Sequence, residues 1–330
     1  MFKKTAVIIP VKALNDYIEE CLSHMEQIDY DLSKIEILVL PDEKSELKGK
    51  YNLNVKIIPT GSVHPGEKRD KGISMTDAEI VAFIDDDVFP AKNWLKKAAE
   101  LFEGDETIGA VGGPAVTPPG DSFFQKASGL IYESLLGGGG YRYRYAPEAA
   151  RDVDDYPSCN LIVRKNVLDK IGGFNTEFWP GEDTVICLKI VKGLKLRIFY
   201  HPDVLVYHHR RNFPAGHIRQ VRSYAQHRGY FVKRFPETSL RPSYFVPTAF
   251  LLYLLSLAPL NVLLPEFWFL WNAPAALYGI LLIIEGIKTK SFLMAPVVMA
   301  GILVNHIYYG FYFILGLCSK KLKEEKQERI

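Results

Sequence analysis

Residues 79 to 90 read Glu-Ile-Val-Ala-Phe-Ile-Asp-Asp-Asp-Val-Phe-Pro, an apolar run that leads directly into three carboxylates, Asp85, Asp86 and Asp87. The run is long enough for one buried strand. Neighbouring carboxylates raise one another's pKa and are costly to bury unless a cation or several hydrogen-bond donors compensate them. Because hard divalent cations prefer carboxylate oxygens, and open α/β sheets bind ligands at the carboxyl ends of their strands, the stretch predicts a metal site there. The alternative, an acidic loop that caps the next helix, would require only one aspartate.

Strand and helix patterns alternate through this part of the chain. Thr5–Val11 reads as a strand, and Asn15 is the predicted cap of a helix that ends at Met25. The remaining predicted elements are strands at Ile35–Leu40, Val55–Ile58 and Ile80–Ile84 and helices at Glu67–Thr76 and Asn93–Phe102. Strands that alternate with helices form parallel βαβ units with right-handed crossovers. The pattern predicts a mostly parallel sheet inside a three-layer α/β/α sandwich, in one soluble domain.

The net charge of +2 and the mean hydropathy of +0.00 hide a change of composition near residue 245. Between Phe245 and Leu317 the only Asp, Glu, Lys or Arg residues are Glu266, Glu285, Lys288 and Lys290. Segments 245–264, 267–284 and 291–317 are each close to the roughly 17 to 25 apolar residues that cross a hydrocarbon core. We therefore expect two to three transmembrane or re-entrant helices in residues 245–317.

The number of crossings stays open at this point, because Pro247 and Pro259 could make the first segment re-entrant. Residues 318–330 form a charged, lysine-rich tail. The apolar run after Lys3 and Lys4 is too short for a signal peptide. The expected protein is a multi-pass protein of the cell membrane that is anchored near its carboxyl end, with its soluble domain on the cytoplasmic side.

Composition also narrows the function classes. Four cysteines lie far apart with no CxxC pair, which argues against structural zinc and fits a reducing compartment. The near-neutral charge, with no basic patch outside the membrane-proximal region, disfavours nucleic acid as a partner. A nucleotidyltransferase is disfavoured because Lys12-Ala13-Leu14-Asn15, after the first strand, is not a glycine-rich phosphate loop.

A second acidic feature follows a glycine turn. Gly172-Gly173-Phe174 is followed by Trp179 and then by Glu182-Asp183. The two acids fall where a helix is predicted to begin, and the helix dipole alone would favour them there. The neighbouring Phe178 and Trp179 favour a second interpretation, a carboxylate in an apolar pocket that is poised to take a proton.

Two further segments border the membrane part. Gly137–Gly140 followed by alternating tyrosine and arginine to Tyr145 predicts a mobile loop that could cover a substrate, or an idle insertion. Residues 216–244 include a basic amphipathic stretch, which predicts a helix at the membrane surface; an ordinary packed helix with one wet face is the alternative.

The order of these motifs resembles glycosyltransferase family 2, the inverting enzymes with a GT-A fold. The likeness covers residues 5 to 235 and rests on the segments Val7–Val11, Glu67–Ile73, Phe83–Asp87, Gly172–Phe174, Glu182-Asp183 and Tyr207–Arg210. It implies that residues 1–235 form a GT-A domain, Rossmann-like in its layers. The membrane segments that follow are similar to those of bacterial or archaeal enzymes that build exopolysaccharide or lipid-linked glycans.

The resemblance also implies a role for each matching residue. Asp183 would be the catalytic base, with Glu182 beside it. Mn²⁺ or Mg²⁺ would be held by Asp85 and Asp87 together with His209, or with its neighbour His208. The alternative for the run His208–Arg211 is a solvated or membrane-facing patch. The nucleotide sugar would be contacted by Pro10, Lys12, Asp42, Arg69, Asp70, Asp85 and Asp86. Asp70 departs from the family pattern, which has asparagine there, and this puts its local contact in doubt.

The implied reaction transfers a sugar from a UDP- or GDP-linked donor to a lipid-linked or glycan acceptor, with inversion in a single displacement. Processive members of the family carry a Gln-x-x-Arg-Trp motif, which residues 219–230 lack, so we expect one sugar to be added per encounter. A processive polysaccharide synthase, a nucleotidyltransferase and an inactive membrane scaffold of the same fold remain the alternatives.

Overall fold

A computed structural model describes residues 3–322 of the chain, so the predicted tail beyond residue 322 lies outside it. The described residues form two compact units. The first contains the chain up to Val116 together with Ala146–His209, and the second contains Thr117–Tyr145 and the chain from Arg210 onward. Residues 117–145 therefore group with the carboxyl-terminal helices. The predicted division of the chain at residue 235 differs from this, because it assigned residues 117–145 and 210–235 to the soluble domain.

The first unit is built on an eight-stranded sheet. Its strands in chain order, with those of a small second sheet, are β1 (Thr5–Pro10), β2 (Ile35–Leu40), β3 (Asn54–Ile57), β4 (Ile80–Ile84), β5 (Val88–Pro90), β6 (Ile108–Gly112), β7 (Ala115–Val116), β8 (Arg151–Val153), β9 (Asn160–Arg164), β10 (Arg197–Tyr200) and β11 (Val206–His208). The large sheet has the order β3-β2-β1-β4-β9-β6-β10-β8, and the small sheet has the order β5-β11-β7.

Helices cover the sheet and form most of the second unit. They are α1 (Asp16–Met25), α2 (Pro65–Ser74), α3 (Trp94–Gly104), α4 (Phe123–Glu133), α5 (Leu135–Gly138), α6 (Lys165–Ile171), α7 (Glu182–Leu188), α8 (Ala215–Arg234), α9 (Pro236–Ser239), α10 (Pro242–Leu263), α11 (Trp268–Lys288) and α12 (Met294–Cys318). Short 3-10 turns lie at Leu32–Lys34, Gly139–Arg144 and Pro265–Phe267, and α7 continues into one π-helical turn, Lys189–Gly193.

The predicted parallel sheet is confirmed in its first half. β1 pairs in parallel with β2 and β4, and β2 with β3, whereas β9 runs antiparallel between β4 and β6. In the register Pro10 lies opposite Leu40, and Ile8 opposite Phe83. Because these strands are parallel, their carboxyl ends meet at one edge, and the residues that follow β1, β2 and β4 are brought together there.

The small sheet brings a distant part of the chain to the same edge. β11 pairs antiparallel with β5, and its His208 lies opposite Val88. The amide of His209 also donates a hydrogen bond to the carbonyl of Asp87, at 3.0 Å. The chain around residue 208 is therefore fixed against the acidic run at the end of β4. No local sequence pattern predicted this pairing.

The second unit contains the three helices that are long and apolar enough to cross a membrane among the described residues. They are α10, the stretch Pro265–Lys288 that includes α11, and α12. α10 is continuous through Pro247 and Pro259, the residues that left its predicted conformation open. Most of its apolar side chains are not covered by other parts of the protein; Leu255, for example, is 65% exposed. This pattern is expected of a helix surface that faces lipid.

The remaining segments of the second unit pack on these helices. α8 approaches α12 closely, because a Cβ added at Gly229 would lie 2.2 Å from the carbonyl oxygen of Phe313. α8 keeps Arg219 and Arg222 exposed, so one of its faces is packed and the other is basic and exposed. Both interpretations of the basic stretch are compatible with this arrangement, and a position at the membrane surface stays a prediction. The predicted mobile loop at 137–145 is instead helical, with Gly137 and Gly138 in α5 and a 3-10 turn after them.

Candidate active site

Two carboxylates and one imidazole converge at the end of β4. Asp85, Asp87 and His208 each offer a ligand atom, and these atoms lie within 4.8 Å of one another. Asp87 is buried, and its Oδ1 lies 3.1 Å from Nε2 of His208. The strand ends place these residues: β4 delivers the aspartates, and the pairing of β11 with β5 delivers the histidine.

The electrostatics of this cluster favour a positive charge. Burial by itself lowers the pKa of His208, but the charge of Asp87 and its hydrogen bond outweigh burial and raise that pKa to about 10. Carboxylate oxygens with one imidazole nitrogen form a donor set that suits Mn²⁺ and, through the oxygens, Mg²⁺. The residues present therefore fit the divalent cation that the acidic run predicts.

His209 and Asp86, two other predicted site residues, have different neighbours. Nε2 of His209 lies 2.9 Å from Oε2 of Glu20, and its ring stacks on Tyr17 with centroids 4.5 Å apart. Asp86 accepts a hydrogen bond from the side-chain amide of Asn15 at 2.8 Å. The geometry thus favours His208 rather than His209 as the third metal ligand, and it joins Asp86 to the cap of α1.

A buried arginine connects the metal-binding cluster to the second acidic feature. Arg69, on α2, donates to Oδ1 of Asp85 at 2.8 Å and to Oε1 of Glu182 at 2.9 Å. Only 2% of Arg69 is exposed, and its guanidinium also lies over the ring of Phe174 at 5.4 Å. The cluster at the end of β4 and the acidic pair at the start of α7 therefore share one cation.

Glu182 and Asp183 begin α7, as the dipole argument predicts, but they have different surroundings. Glu182 is buried, and it accepts from the amide of Gly181 as well as from Arg69. Gly181 has a φ of 124°, which favours glycine at this entry to the helix. Asp183 is half-buried and accepts from the amide of Thr184 at 2.8 Å. Of the pair, Asp183 is the carboxylate with more access to solvent and to a substrate.

Asp70 fixes the glycine turn before the acidic pair. Its carboxylate accepts hydrogen bonds from the amides of Phe174, at 2.7 Å, and Asn175, at 2.9 Å. Gly173, with a φ of 66°, lets this carboxylate approach, because a Cβ there would lie 2.3 Å from Oδ1 of Asp70. Burial raises the pKa of Asp70 despite these bonds. The carboxylate of Asp70 therefore binds the glycine turn, and its two oxygens accept one amide each, which explains why an aspartate suits this position.

Lys68 is a site residue that the sequence did not single out. Its buried ammonium donates to the carbonyl oxygens of Val11, at 2.6 Å, and Leu40, at 3.1 Å, and it pairs with Asp42. Lys68 therefore joins the ends of β1 and β2 at the edge where Pro10 and the exposed Lys12 lie. The predicted donor-contacting residues Pro10, Lys12 and Asp42 are thus neighbours in space.

Comparison with known proteins identifies the family. The protein-family model described as "Glycosyl transferase family 2" matches residues 6–172. The chain belongs to glycosyltransferase family 2.

Two curated relatives align with part of this chain. The pre-mycofactocin glycosyltransferase of Mycobacterium tuberculosis is 29% identical over 150 residues, which are 44% of this chain and 30% of that protein. Glycosyltransferase AglE of Haloferax volcanii is 25% identical over 188 residues, which are 54% of this chain and 58% of that protein. The chain therefore matches less than two thirds of the length of either relative.

A solved structure supports the architecture. The mannosyltransferase PcManGT of Pyrobaculum calidifontis, in complex with GDP-Man and Mn²⁺, has a TM-score of 0.56 and 17% identity, and the match covers 98% of this chain and 89% of that one. At this identity the likeness concerns the fold alone, and it confirms the predicted GT-A fold. The helices that follow this fold are apolar enough to span a membrane, as predicted.

Proposed function

We propose that this glycosyltransferase moves one sugar, with inversion, from a nucleotide-diphosphate sugar to an acceptor at the membrane. The observation that carries the proposal is the position of Arg69 between Asp85 and Glu182. It links a cluster that suits a divalent cation to an acidic pair at a helix start. Departure of a diphosphate and removal of a proton from an acceptor need these two kinds of group side by side.

The donor side is assigned to the edge formed by the ends of β1, β2 and β4. Asp85, Asp87 and His208 would hold Mn²⁺ or Mg²⁺. When bound, this cation supplies Lewis-acid stabilisation of the charge that develops on the leaving diphosphate. A UDP- or GDP-linked sugar is the expected donor, and Lys12, exposed after β1, is placed to meet its negative charge.

On the acceptor side, Asp183 is assigned as the base. Glu182 is buried and bonded to Arg69, so an acceptor hydroxyl has little access to it, whereas Asp183 keeps a more accessible carboxylate. Asp183 would take the proton from the acceptor hydroxyl as this hydroxyl attacks the anomeric carbon from the face opposite the diphosphate. One displacement of this kind inverts the anomeric centre and requires no protein nucleophile.

The membrane part supports an acceptor held at the bilayer. Three helices of sufficient length and apolarity and the basic exposed face of α8 suit a multi-pass protein whose surface meets anionic headgroups. We assign the protein to the cell membrane, with its catalytic domain on the cytoplasmic side, and the acceptor to the lipid-linked or glycan class. Transfer of one sugar per encounter, rather than polymerisation, fits the missing Gln-x-x-Arg-Trp motif.

The test is a screen of UDP- and GDP-linked sugars for Mn²⁺-dependent thermal stabilisation of the purified full chain, followed by transfer assays. We expect Asp87→Asn to lose the stabilisation and Asp183→Asn to keep it while losing transfer. The surface carboxylate Asp169, paired with Lys165 in an exposed i,i+4 contact, provides the control variant Asp169→Asn, which should behave as wild type. Normal turnover in Asp183→Asn would remove Asp183 as the base, and long polymeric products would favour a processive synthase.

A further inference from the structure

An exposed aromatic pair lies beside the acidic pair in the first unit. The indole of Trp179 stacks on the imidazole of His64, with centroids 5.7 Å apart and planes inclined by 30°. Trp179 is 48% exposed, and Val63, next to His64, is 38% exposed. Trp94, in the same unit, is completely buried, whereas the indole of Trp179 is exposed to solvent. An exposed tryptophan beside a second ring and an exposed valine indicates a surface that binds a ligand.

The contacts of α2 and α7 place this surface next to the proposed base. His64 is the residue at the amino end of α2, and a Cβ added at Gly66, in the first turn of that helix, would lie 3.7 Å from Cβ of Glu182. Trp179 precedes Glu182 by three positions in the chain. The aromatic pair therefore lies close to the start of α7, where Glu182 and Asp183 stand.

We propose that Trp179 and His64, the aromatic platform, bind the sugar ring that carries the attacking hydroxyl. The acceptor is then a glycan with a terminal pyranose, and not a bare lipid phosphate. This inference rests on the proposed function and specifies its acceptor. One face of a pyranose consists largely of C–H groups and packs well on an aromatic ring, while the hydroxyls at its edge stay free to reach Asp183.

The charges around the platform also favour a neutral occupant. The cations Arg69 and Lys189 are both engaged: Arg69 pairs with Asp85 and Glu182, and Lys189 donates to the carbonyl oxygens of Gly173, at 3.2 Å, and Phe174, at 2.9 Å. A phosphate at the platform would lie near the carboxylate of Asp183, whereas Glu182 is already paired with Arg69. A sugar ring places no charge there and avoids this repulsion.

The experiment compares acceptors with the full chain in a polyoxyethylene detergent, which carries no sugar. The donor is the nucleotide sugar that stabilises the protein with Mn²⁺, and the acceptors are octyl glucoside, octyl mannoside, octyl N-acetylglucosaminide and farnesyl phosphate. We expect transfer to at least one octyl glycoside. Trp179→Ala should raise the KM for that glycoside about 10- to 100-fold, as truncation of a central aromatic contact does, and leave the donor KM and donor hydrolysis unchanged.

Two variants serve as controls. Trp179→Phe keeps an aromatic face and should retain most of the acceptor affinity. Met75 is also 48% exposed and lies at the opposite end of α2, so Met75→Ala removes a comparable exposed apolar side chain away from the platform and should leave every constant unchanged.

Several outcomes would overturn the platform. One is transfer to farnesyl phosphate and to none of the glycosides, and another is donor hydrolysis with no transfer to any glycoside; both leave the proposed function standing. A Trp179→Ala protein whose glycoside KM equals that of wild type would also overturn it. Absence of any metal-dependent nucleotide-sugar binding would instead reject the proposed function, and the platform with it.

Discussion

Replacement of Arg69 by methionine tests the link between the two halves of the site. The side chain of Arg69 is 3% exposed, and its guanidinium bridges Asp85 and Glu182, whose side chains are 35% and 8% exposed. Methionine has a similar length but no charge. Its introduction would leave the carboxylate of Glu182 buried without a counter-charge, whereas Asp85 could be solvated by water.

The size of the effect follows from these exposures. Removal of one partner from a buried ion pair costs about 3–5 kcal/mol of unfolding free energy, and here the cost falls mainly on Glu182. Because water screens Asp85, its pair with Arg69 adds little to this sum. For a domain of 150–250 residues, a loss of this size lowers the unfolding temperature by about 6 to 20 °C.

Thermal unfolding of the purified full chain, followed by tryptophan fluorescence, measures this loss. The double variant Arg69→Met/Glu182→Gln should recover most of it, because it leaves no buried charge. Arg197 is a matched control in the same unit: it also bridges two carboxylates, Asp105 and Asp152, but it is 38% exposed. Arg197→Met should cost no more than about 1 kcal/mol. If Arg69→Met unfolds within 2 °C of the wild type, or if the double variant is no more stable than the single one, the buried bridge is not what stabilises the site.

Three further predictions concern packing, the glycine turn and the metal ligands. Gly316→Ala on α12 should lower the unfolding temperature, because the added Cβ would lie 2.1 Å from a carbonyl oxygen of α8. Gly279→Ala is the control and should not lower it, because no atom lies within 4 Å of a Cβ at that position. Equal effects of the two substitutions would contradict close packing of α12 on α8. Asp70→Asn leaves one of two backbone amides without an acceptor, so transfer should fall more than donor binding, as kcat and donor Kd will show. His208→Gln should weaken Mn²⁺-dependent stabilisation and His209→Gln should not; the reverse result would restore His209 as the ligand.

The elements that could be predicted from sequence are those with strong local signals. The strands at Ile35–Leu40 and Ile80–Ile84 were predicted to the residue, because each is a short run, apolar except for Glu36 in the first, between polar segments. Asn15 was predicted as the cap of α1, and its side chain accepts from the amide of Ile18 as a cap does. Within these elements the local and the tertiary preferences agree.

The features that were not predicted depend on pairing between distant segments. Whether His208 or His209 joins the aspartates depends on the register of β11 against β5, and a shift of one residue would exchange the two side chains. The glycine run at 137–140 carries a flexible composition, yet it is helical where the insertion packs among the helices of the second unit, with the carbonyl oxygen of Leu136 bonded to His306. The contacts of Trp179 with His64 likewise join residues that no short motif relates.

Three consecutive charged residues on α2 show why the site and the fold cannot be separated. Successive helical positions point about 100° apart, so Lys68, Arg69 and Asp70 reach three different neighbours. Lys68 joins the ends of β1 and β2, Arg69 joins Asp85 to Glu182, and Asp70 fixes the turn before α7. Each of these charges would be costly to bury alone, and each is tolerated because its partner belongs to the site. A perturbation that moves α2 should therefore disturb donor binding, proton removal and stability together, whereas substitution of one of the three should separate these effects.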